Sequence, residues 1–245
     1  MAARPILFSG PMVRAILDGR KTMTRRVLKP GRSPSLVDGS WSDDYVLDPG
    51  NADWLARDVR FAPGDLLWVR ESLGRRTSSF LGIEATNGTE EALYLADGED
   101  VTEEKGFNVC PWWAGKSLPS IQMPRWASRL TLAVTAVKVE RLQDISEAQA
   151  LAEGIYRVDP TPEEIASGDA DADCFVFKAP GTRQGWGLTK SDRANEQWHC
   201  TARDAFGLLW NSINGPGAWE ANPWVAAVSF TVHRANVDAL PAEPA

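Results

Sequence analysis

The sequence predicts an α+β domain built around a small mixed β-barrel with flanking helices. Three observations lead to this class. Several segments have the alternation or the β-branched content of strands, short helical patterns separate them, and two long stretches are irregular in composition. These stretches, at about 31–60 and 156–194, are rich in Gly, Ser, Asp and Pro. We therefore predict one domain over 1–234 with two irregular insertions, followed by a flexible tail at 235–245.

The predicted elements follow in order from local patterns. Residues 4–9 form an apolar strand, and a helix begins near Pro11 and ends at Gly19, because glycine commonly follows the last helical residue. The basic stretch GRKTMTRR (19–26) then lies on the turn and strand that follow. Further strands are predicted within 62–72, 92–95, 129–141 and 223–233, and further helices over 146–154 and 195–213.

The clearest strand is 129–141, RLTLAVTAVKVER. Its alternation places Leu130, Leu132, Val134 and Ala136 on one face, and Thr131, Ala133, Thr135, Val137 and Val139 on the other. Glu140 stands next to Arg141, and we predict a surface ion pair for it.

Composition excludes several classes of protein. The 245 residues are 43% hydrophobic but contain no run of about 18 apolar residues, so no membrane span is predicted. The N-terminal apolar run is too short for a signal peptide. Three widely spaced cysteines do not form a disulfide framework, which favours a cytoplasmic location.

Charge is unevenly distributed. The net charge of −7 argues against extensive binding to duplex nucleic acid, which usually requires a basic face. A local basic pocket for one nucleotide remains compatible with it, because six cations lie within 20–32: Arg20, Lys21, Arg25, Arg26, Lys29 and Arg32. The 11 tryptophans indicate either packing by large rings or a surface on which a flat ligand stacks.

Several blocks together resemble a known family. They are ILDGRKTMTRR (16–26), GDLLWVRE (64–71), PRWASR (124–129), RLTLAVTAVKVERLQDISEAQALAEGI (129–155) and LWNSINGPGAWEANPWV (209–225). In order and spacing they resemble the ASCH domain, a PUA-like β-barrel, in its longer, phage-associated branch. The resemblance covers roughly 5–30, 62–72, 119–155 and 200–233, and it implies a PUA-like fold.

The resemblance also implies an activity. Small bacterial members of the family are amidohydrolases that remove the acetyl group from N4-acetylcytidine with a lysine, a threonine three residues later and a glutamate on a following strand. Lys21 and Thr24 match the first two positions. The family therefore suggests a hydrolase that acts on a modified cytosine nucleoside, without metal or other cofactor.

Elementary chemistry is consistent with that pair. A threonine hydroxyl needs a base, and a lysine whose pKa is lowered by burial or by neighbouring cations can act as one. Arg20, Arg25 and Arg26 would lower the pKa of Lys21 by like-charge repulsion. Lys21 and Thr24 meet if 21–24 forms a turn, and they point to opposite faces if the segment is fully extended. The competing interpretation is a solvated turn after a helix.

The third family position differs in this chain. Aligned without gaps, the glutamate falls at Ala133, which cannot hold a lysine or donate a proton. We predict that Glu71, at the end of the apolar strand LLWVR, replaces it as proton donor or lysine orienter. A strand-end ion pair of Glu71 with Arg70, Arg75 or Arg76 is the alternative.

Candidate substrate-binding residues are Arg26, Trp126 and Ser120. A surface role remains open for both Arg25 and Arg26, and core packing for Trp126. Cys110, Cys174, His199 and Cys200 lack the spacing of a zinc site, so no metal is predicted. The alternative to the hydrolase is a non-catalytic PUA-like module that binds RNA or a modified base, which Ala133 favours. A nuclease is a third possibility, but no pair of histidines suggests one.

Overall fold

The computed structural model describes residues 3–28, 39–51, 59–77, 90–102, 112–159, 162–167, 176–178 and 201–240. The chain divides into two compact units. The first unit comprises Met1–Leu17, Gly64–Val134 and Thr231–Ala245, and the second comprises Asp18–Pro63 and Thr135–Phe230. The sequence had predicted a single domain over 1–234.

The described elements are numbered here in chain order. The strands are β1 (Ala3–Leu7), β2 (Met23–Val27), β3 (Leu66–Arg70), β4 (Leu73–Thr77), β5 (Glu90–Tyr94), β6 (Ser117–Leu118), β7 (Thr131–Arg141), β8 (Tyr156–Val158), β9 (Val176–Lys178) and β10 (Trp224–His233). The α-helices are α1 (Gly10–Leu17), α2 (Asp43–Leu47), α3 (Glu147–Ala152), α4 (Pro162–Ala166) and α5 (Ala202–Asn214). Short 3-10 turns occur at Pro49–Asn51, Ser120–Gln122, Arg125–Ala127 and Leu142–Asp144.

The strands form three sheets. The largest has the order β1-β3-β7-β10-β2, the second has the order β5-β4-β6, and β8 pairs with β9. In the largest sheet β1 is parallel to β3, whereas β3 is antiparallel to β7 and β10 is antiparallel to β2. The predicted α+β class is therefore confirmed. Over the described ranges these sheets do not close into a barrel.

The buried positions along the two long strands, β7 and β10, largely coincide with the apolar positions of their sequences. In β10, residues 224–228 are buried without interruption, as is typical of a strand with neighbours on both sides. In β7, Leu132 and Val134 are buried as the alternation predicted, but Ala136 is exposed. Glu140 lies on the same alternating set as Leu132 and is buried, so the predicted surface ion pair for Glu140 is wrong.

The sequence did not predict β4, because LGRRT lacks an apolar alternation. The segment nevertheless forms the central strand of its sheet, because it pairs with β5 on one side and β6 on the other. Leu95 lies against Gly74, where a Cβ atom would be 2.6 Å from Leu95 Cδ2 and would require that side chain to move. The sheet covers an apolar core formed by Leu73, Ala92, Tyr94, Val101, Leu118, Met123 and Ala127.

Helix α3 is held at its N-terminus by two sets of hydrogen bonds. The Ser146 hydroxyl accepts from the Gln149 N–H and the Gln149 side chain accepts from the Ser146 N–H, which completes the capping box. Glu147, the first helical residue, also caps the start of α5. Its carboxylate accepts from the Ala202 N–H at 2.8 Å and from the Arg203 N–H at 3.1 Å. Helices α3 and α5 of the second unit are thereby joined.

The predicted insertions contain regular structure where they are described. Residues 39–51 include α2, for which the Ser42 hydroxyl accepts from the Tyr45 N–H. The described residues of 156–194 include α4, β8 and β9. The helix predicted over 195–213 is observed from Ala202, with Thr201 as its N-cap, and residues 195–200 lie outside the described part.

The tail differs from the prediction of a flexible segment from 235. Val237 is buried, and Asn236 Nδ2 donates to the carbonyls of Arg125, Trp126 and Ser128 at 2.8, 3.1 and 2.8 Å. An amide side chain and one apolar residue therefore hold 235–240 against the first unit. None of the described helices has the length and apolar character that crossing a membrane requires.

Ser146→Ala removes the hydroxyl from the capping box of α3. We expect the free energy of unfolding to fall by about 1 kcal/mol, because one helical N–H loses its acceptor. Urea denaturation followed by circular dichroism measures the change. The matched control is Ser117→Ala, at an exposed position of β6, which we expect to leave the midpoint unchanged. Equal midpoints for Ser146→Ala and the wild type would contradict the role of the cap.

Candidate active site

Lys21 and Glu153 lie opposite each other where β2 is about to begin and α3 has just ended. Their backbones form an isolated antiparallel bridge, and the Thr22 N–H donates to the Ala152 carbonyl at 2.9 Å. Gly154, with a φ of +100°, turns the chain directly after α3. Lys21 Nζ donates to the Glu153 carbonyl at 2.9 Å and to Glu153 Oε2 at 2.6 Å. The predicted base therefore has a buried carboxylate as its partner.

Arg25 extends this pair into a row of four buried charges, Lys21, Glu153, Arg25 and Glu140, which we call the buried charge chain. Arg25 Nη1 lies 3.2 Å from Glu153 Oε1, and Arg25 Nη2 lies 2.6 Å from Glu140 Oε1. At the far end, Lys138 Nζ lies 2.9 Å from Glu140 Oε2, at angles outside those of a hydrogen bond. The Lys138 side chain is 66% exposed, so the chain of charges runs from the interior to solvent.

The structure gives Arg25 a role that neither sequence interpretation described. It lies on β2 opposite Ala227 of β10, and its guanidinium is withdrawn from solvent between two carboxylates. A buried guanidinium requires such partners, because it cannot lose its proton. Arg25 therefore acts as an internal counterion and is not a surface residue.

Burial sets the protonation of Lys21. It lowers the pKa of the Lys21 ammonium below its usual value of 10.5, since removal from water penalises the charged form. The positive charges of Arg26 and Arg25 act in the same direction, and the Glu153 carboxylate opposes them. The net pKa is lowered. The like-charge effect expected from the sequence is present, but burial is the larger cause.

Thr24 is buried in β2 and faces Arg26. Arg26 Nη1 donates to Thr24 Oγ1 at 2.8 Å and to the Arg25 carbonyl at 3.1 Å. Because side chains alternate along a strand, Thr24 and Arg26 lie on one face of β2 and Arg25 on the other. Lys21 shares the Glu153 carboxylate with Arg25, and residues 21–22 continue the extended pairing of β2, so Lys21 and Thr24 point to opposite faces and the turn that would bring them together is not observed. The positive charge of Arg26 contributes to the lowered pKa of the lysine. Burial lowers the pKa of Arg26 itself, which nevertheless remains charged.

Glu71 belongs to the first unit and has a partner of its own. Its two carboxylate oxygens accept from Arg129 Nε at 2.9 Å and from Arg129 Nη2 at 3.0 Å. Burial raises the pKa of the Glu71 carboxyl, and the guanidinium of Arg129 opposes that effect. The Glu71 carboxylate, predicted to orient Lys21, is thus paired with Arg129. The carboxylate beside Lys21 is that of Glu153, and the arginine that pairs with Glu71 is none of the three considered.

Trp126 and Ser120 also lie in the first unit, in neighbouring 3-10 turns. Trp126 is 43% exposed, and its ring lies 4.8 Å from that of Trp112, which is 42% exposed. Trp113 packs edge-on against Trp112 at 4.8 Å and joins the apolar core beneath. Trp126 is therefore a surface residue in an aromatic group. Ser120 is half-buried.

The sequence analysis did not assign a site role to either acidic residue of the buried charge chain. Glu140 could have been found, because it alternates in phase with Leu132 and Val134 on the apolar face of β7. Glu153 carries a weaker signal. A carboxylate at the end of a helix is unfavourable to the helix dipole, which indicates that another interaction holds it there.

Two further observations concern cofactors and relatives. The described part of the chain contains no group of three or more His, Cys, Asp and Glu residues that could hold a metal ion. Cys110, Cys174, His199 and Cys200, the residues considered for zinc, lie outside the described residues. Comparison of the chain with protein-family models, with curated proteins and with solved structures gave no match.

Glu153→Gln removes the carboxylate that Lys21 and Arg25 share. We expect the free energy of unfolding to fall by about 3–5 kcal/mol, because two buried cations lose their common partner. Thermal and urea denaturation at pH 7 measure the loss. Asp159→Asn, which removes one partner of the exposed Arg157–Asp159 pair, is the control and should leave stability unchanged. A Glu153→Gln protein as stable as the wild type would show that the pair contributes nothing to folding.

Proposed function

We propose that the chain is an ASCH-type protein of PUA-like fold and that it hydrolyses the amide bond of N4-acylated cytosine nucleosides or bases. The observation that carries the proposal is Lys21, a buried amine with a lowered pKa, three residues before a buried threonine and paired with a carboxylate. The family resemblance assigns the same two residues to this chemistry.

The proposed reaction has two stages. Neutral Lys21 takes the proton of Thr24 Oγ1, and the hydroxyl oxygen attacks the carbonyl carbon of the amide. The tetrahedral intermediate then loses the N4 amine, which receives a proton from the Lys21 ammonium, and an ester remains on Thr24. Water hydrolyses this ester, which releases the carboxylic acid and restores the threonine. For the first step, Thr24 Oγ1 must reach Lys21 Nζ directly or through one water, which requires residues 21–24 to leave their extended arrangement when substrate binds.

Glu153 would perform the role that the sequence analysis assigned to Glu71. It holds Lys21 Nζ through a carbonyl and a carboxylate oxygen, which fixes the position of the amine. It also supplies the carboxylate that the family has at the position of Ala133. The residue reaches the lysine from the end of a helix instead of from a strand. This explains how a chain with alanine at that position could retain the chemistry.

Arg26 would control access and bind the reacting carbonyl. Lys21 and Thr24 are each only 1% exposed, whereas Arg26 is partly exposed and donates to Thr24 Oγ1. A substrate that replaces this hydrogen bond would receive the guanidinium next to its carbonyl oxygen. There a cation stabilises the negative charge that develops during attack.

Hydrolysis of N4-acetylcytidine with chelator present tests the proposal. We expect turnover by the wild type, and a loss of at least about 100-fold in Lys21→Arg and in Thr24→Val, because arginine stays protonated and valine has no nucleophile. As pH rises, kcat/KM should increase until Lys21 is neutral. The midpoint of this increase should lie below the pH at which an exposed lysine titrates.

The matched control for the carboxylate is Glu71→Gln, compared with Glu153→Gln after both variants are shown to be folded. We expect the Glu153 variant to lose activity and the Glu71 variant to keep it. The reverse result would return the role to Glu71. No turnover by the wild type with acetyl or with larger acyl groups would overturn the hydrolase for this substrate class.

A second candidate function is a non-catalytic module that binds a modified base, free or in RNA. The observation that favours it is the exposed pair Trp112 and Trp126, since stacking on aromatic side chains is the common way to bind an unpaired base. The segment that follows Trp112 is held by Arg75, whose Nη1 donates to the carbonyls of Trp113, Ala114 and Gly115 at 3.2, 3.0 and 3.3 Å.

Fluorescence anisotropy with a labelled oligocytidine, with and without N4-acetylation, tests this second candidate. We expect Trp126→Ala to weaken binding by about tenfold or more, because one stacked base contributes about 1–3 kcal/mol. Trp41→Ala is the control, since Trp41 is similarly exposed (40%) but lies in the second unit. Equal weakening by both variants, or no binding by the wild type, would contradict a stacking site at Trp126.

A further inference from the structure

The Glu153 carboxylate is shared between two cations. Its Oε2 lies 2.6 Å from Lys21 Nζ, and its Oε1 lies 3.2 Å from Arg25 Nη1. The other arm of Arg25 makes the shorter contact, at 2.6 Å, with Glu140 Oε1. Arg25 is therefore drawn more closely to Glu140 than to Glu153. The Lys21–Glu153 pair keeps its short contact as a result.

Burying Arg25 and Glu140 costs desolvation free energy, which indicates that the two side chains do more than pack the interior. Arg25 is fully buried, and its Nε has no hydrogen-bond acceptor in the described part of the chain. Paired buried charges are often no more stabilising than apolar side chains of the same volume. A contribution to folding is therefore a weak reason for this pair, and its position beside the Lys21–Glu153 pair points to an effect on the charge around Lys21.

Within the described residues, the charged groups that act on Lys21 come from α3, β2 and β7. Glu153 faces it from the end of α3, and Arg25 and Arg26 act on it from β2. Glu140, on β7, acts through Arg25, and β10 contributes Val228, Ser229 and Phe230 at this level, none of which is charged. Lys138 stands beyond Glu140 and is largely in water.

We propose that Arg25, held by Glu140, is a positioning residue that limits how much of the Glu153 carboxylate is available to Lys21, and thereby keeps the lysine able to give up its proton. The catalytic consequence rests on the proposed function. The distribution of charge itself does not, because it can be measured at Lys21 in the absence of any substrate.

Two changes should shift the titration of Lys21 in opposite directions. In Glu140→Gln, Arg25 loses its closer partner and turns both arms to Glu153, so Lys21 loses part of its counterion and its pKa should fall. In Arg25→Met/Glu140→Met, two uncharged side chains replace an arginine and a glutamate whose charges cancel, so the net charge stays the same. Arg25 no longer competes with Lys21 for the Glu153 carboxylate, so the pKa of Lys21 should rise. A merely structural role predicts lower stability and no such opposition.

The experiment is an NMR titration of the full chain with lysine labelled at Cε and Nζ, in which the Lys21 signal is assigned by its loss in Lys21→Arg. If the paired methionine variant does not fold, Arg25→Gln/Glu140→Gln carries the same expectation. The control is Arg76→Gln, an exposed arginine of β4 that pairs with Glu91 and Asp100, which should leave Lys21 unchanged.

Shifts in the same direction, or none in either variant, would overturn the inference. Where turnover is measured, the rising limb of kcat/KM with pH should move with the titration of Lys21. Each pH unit of movement should then change the rate at neutral pH by about tenfold. Opposite NMR shifts without turnover would support the positioning role and contradict only the hydrolase.

Discussion

The buried ion pair between Lys21 and Glu153 is the constraint on which the second unit depends. Two opposite charges removed from water are tolerated only if each finds the other at short range. This requirement fixes where α3 ends, because Glu153 must reach the lysine with both its carbonyl and its carboxylate. It also fixes the start of β2, whose first residues pair with the end of that helix. A local electrostatic demand thus aligns a helix with the edge of a sheet.

The sequence predicted the elements whose patterns are local. The alternation in β7, the apolar run of β10, the cap at Ser146 and the glycine at 154 each identify an element within a few residues of its observed limits. Strand β4 was not predicted, because its place in a sheet depends on pairing with β5 and β6, which come later in the chain. The docked tail has the same explanation, since the partners of Asn236 lie more than 100 residues earlier.

In the candidate site, too, the residues that are close in sequence were predicted and their distant partners were not. Lys21, Thr24 and Arg26 stand close together in one motif, and a motif can be recognised without knowing the fold. The partners of Lys21 and Arg25 come from β7 and from the end of α3, and no spacing rule connects them with residue 21. With alanine at 133, the prediction fell on Glu71, which ends the apolar strand LLWVR. The carboxylate came instead from a helix terminus, where the search by strand alignment did not extend.

Helix α3 links two interactions, one at each of its ends. Its first residue, Glu147, receives the N–H groups of Ala202 and Arg203, and the residue after its last, Glu153, receives Lys21. A helix of this length spans only about 9 Å and is too short to bend. Any event that draws Glu153 away from Lys21 would therefore pull on the first turn of α5. Amide hydrogen exchange at Ala202 and Arg203 would then report on the state of a lysine far from them along the chain.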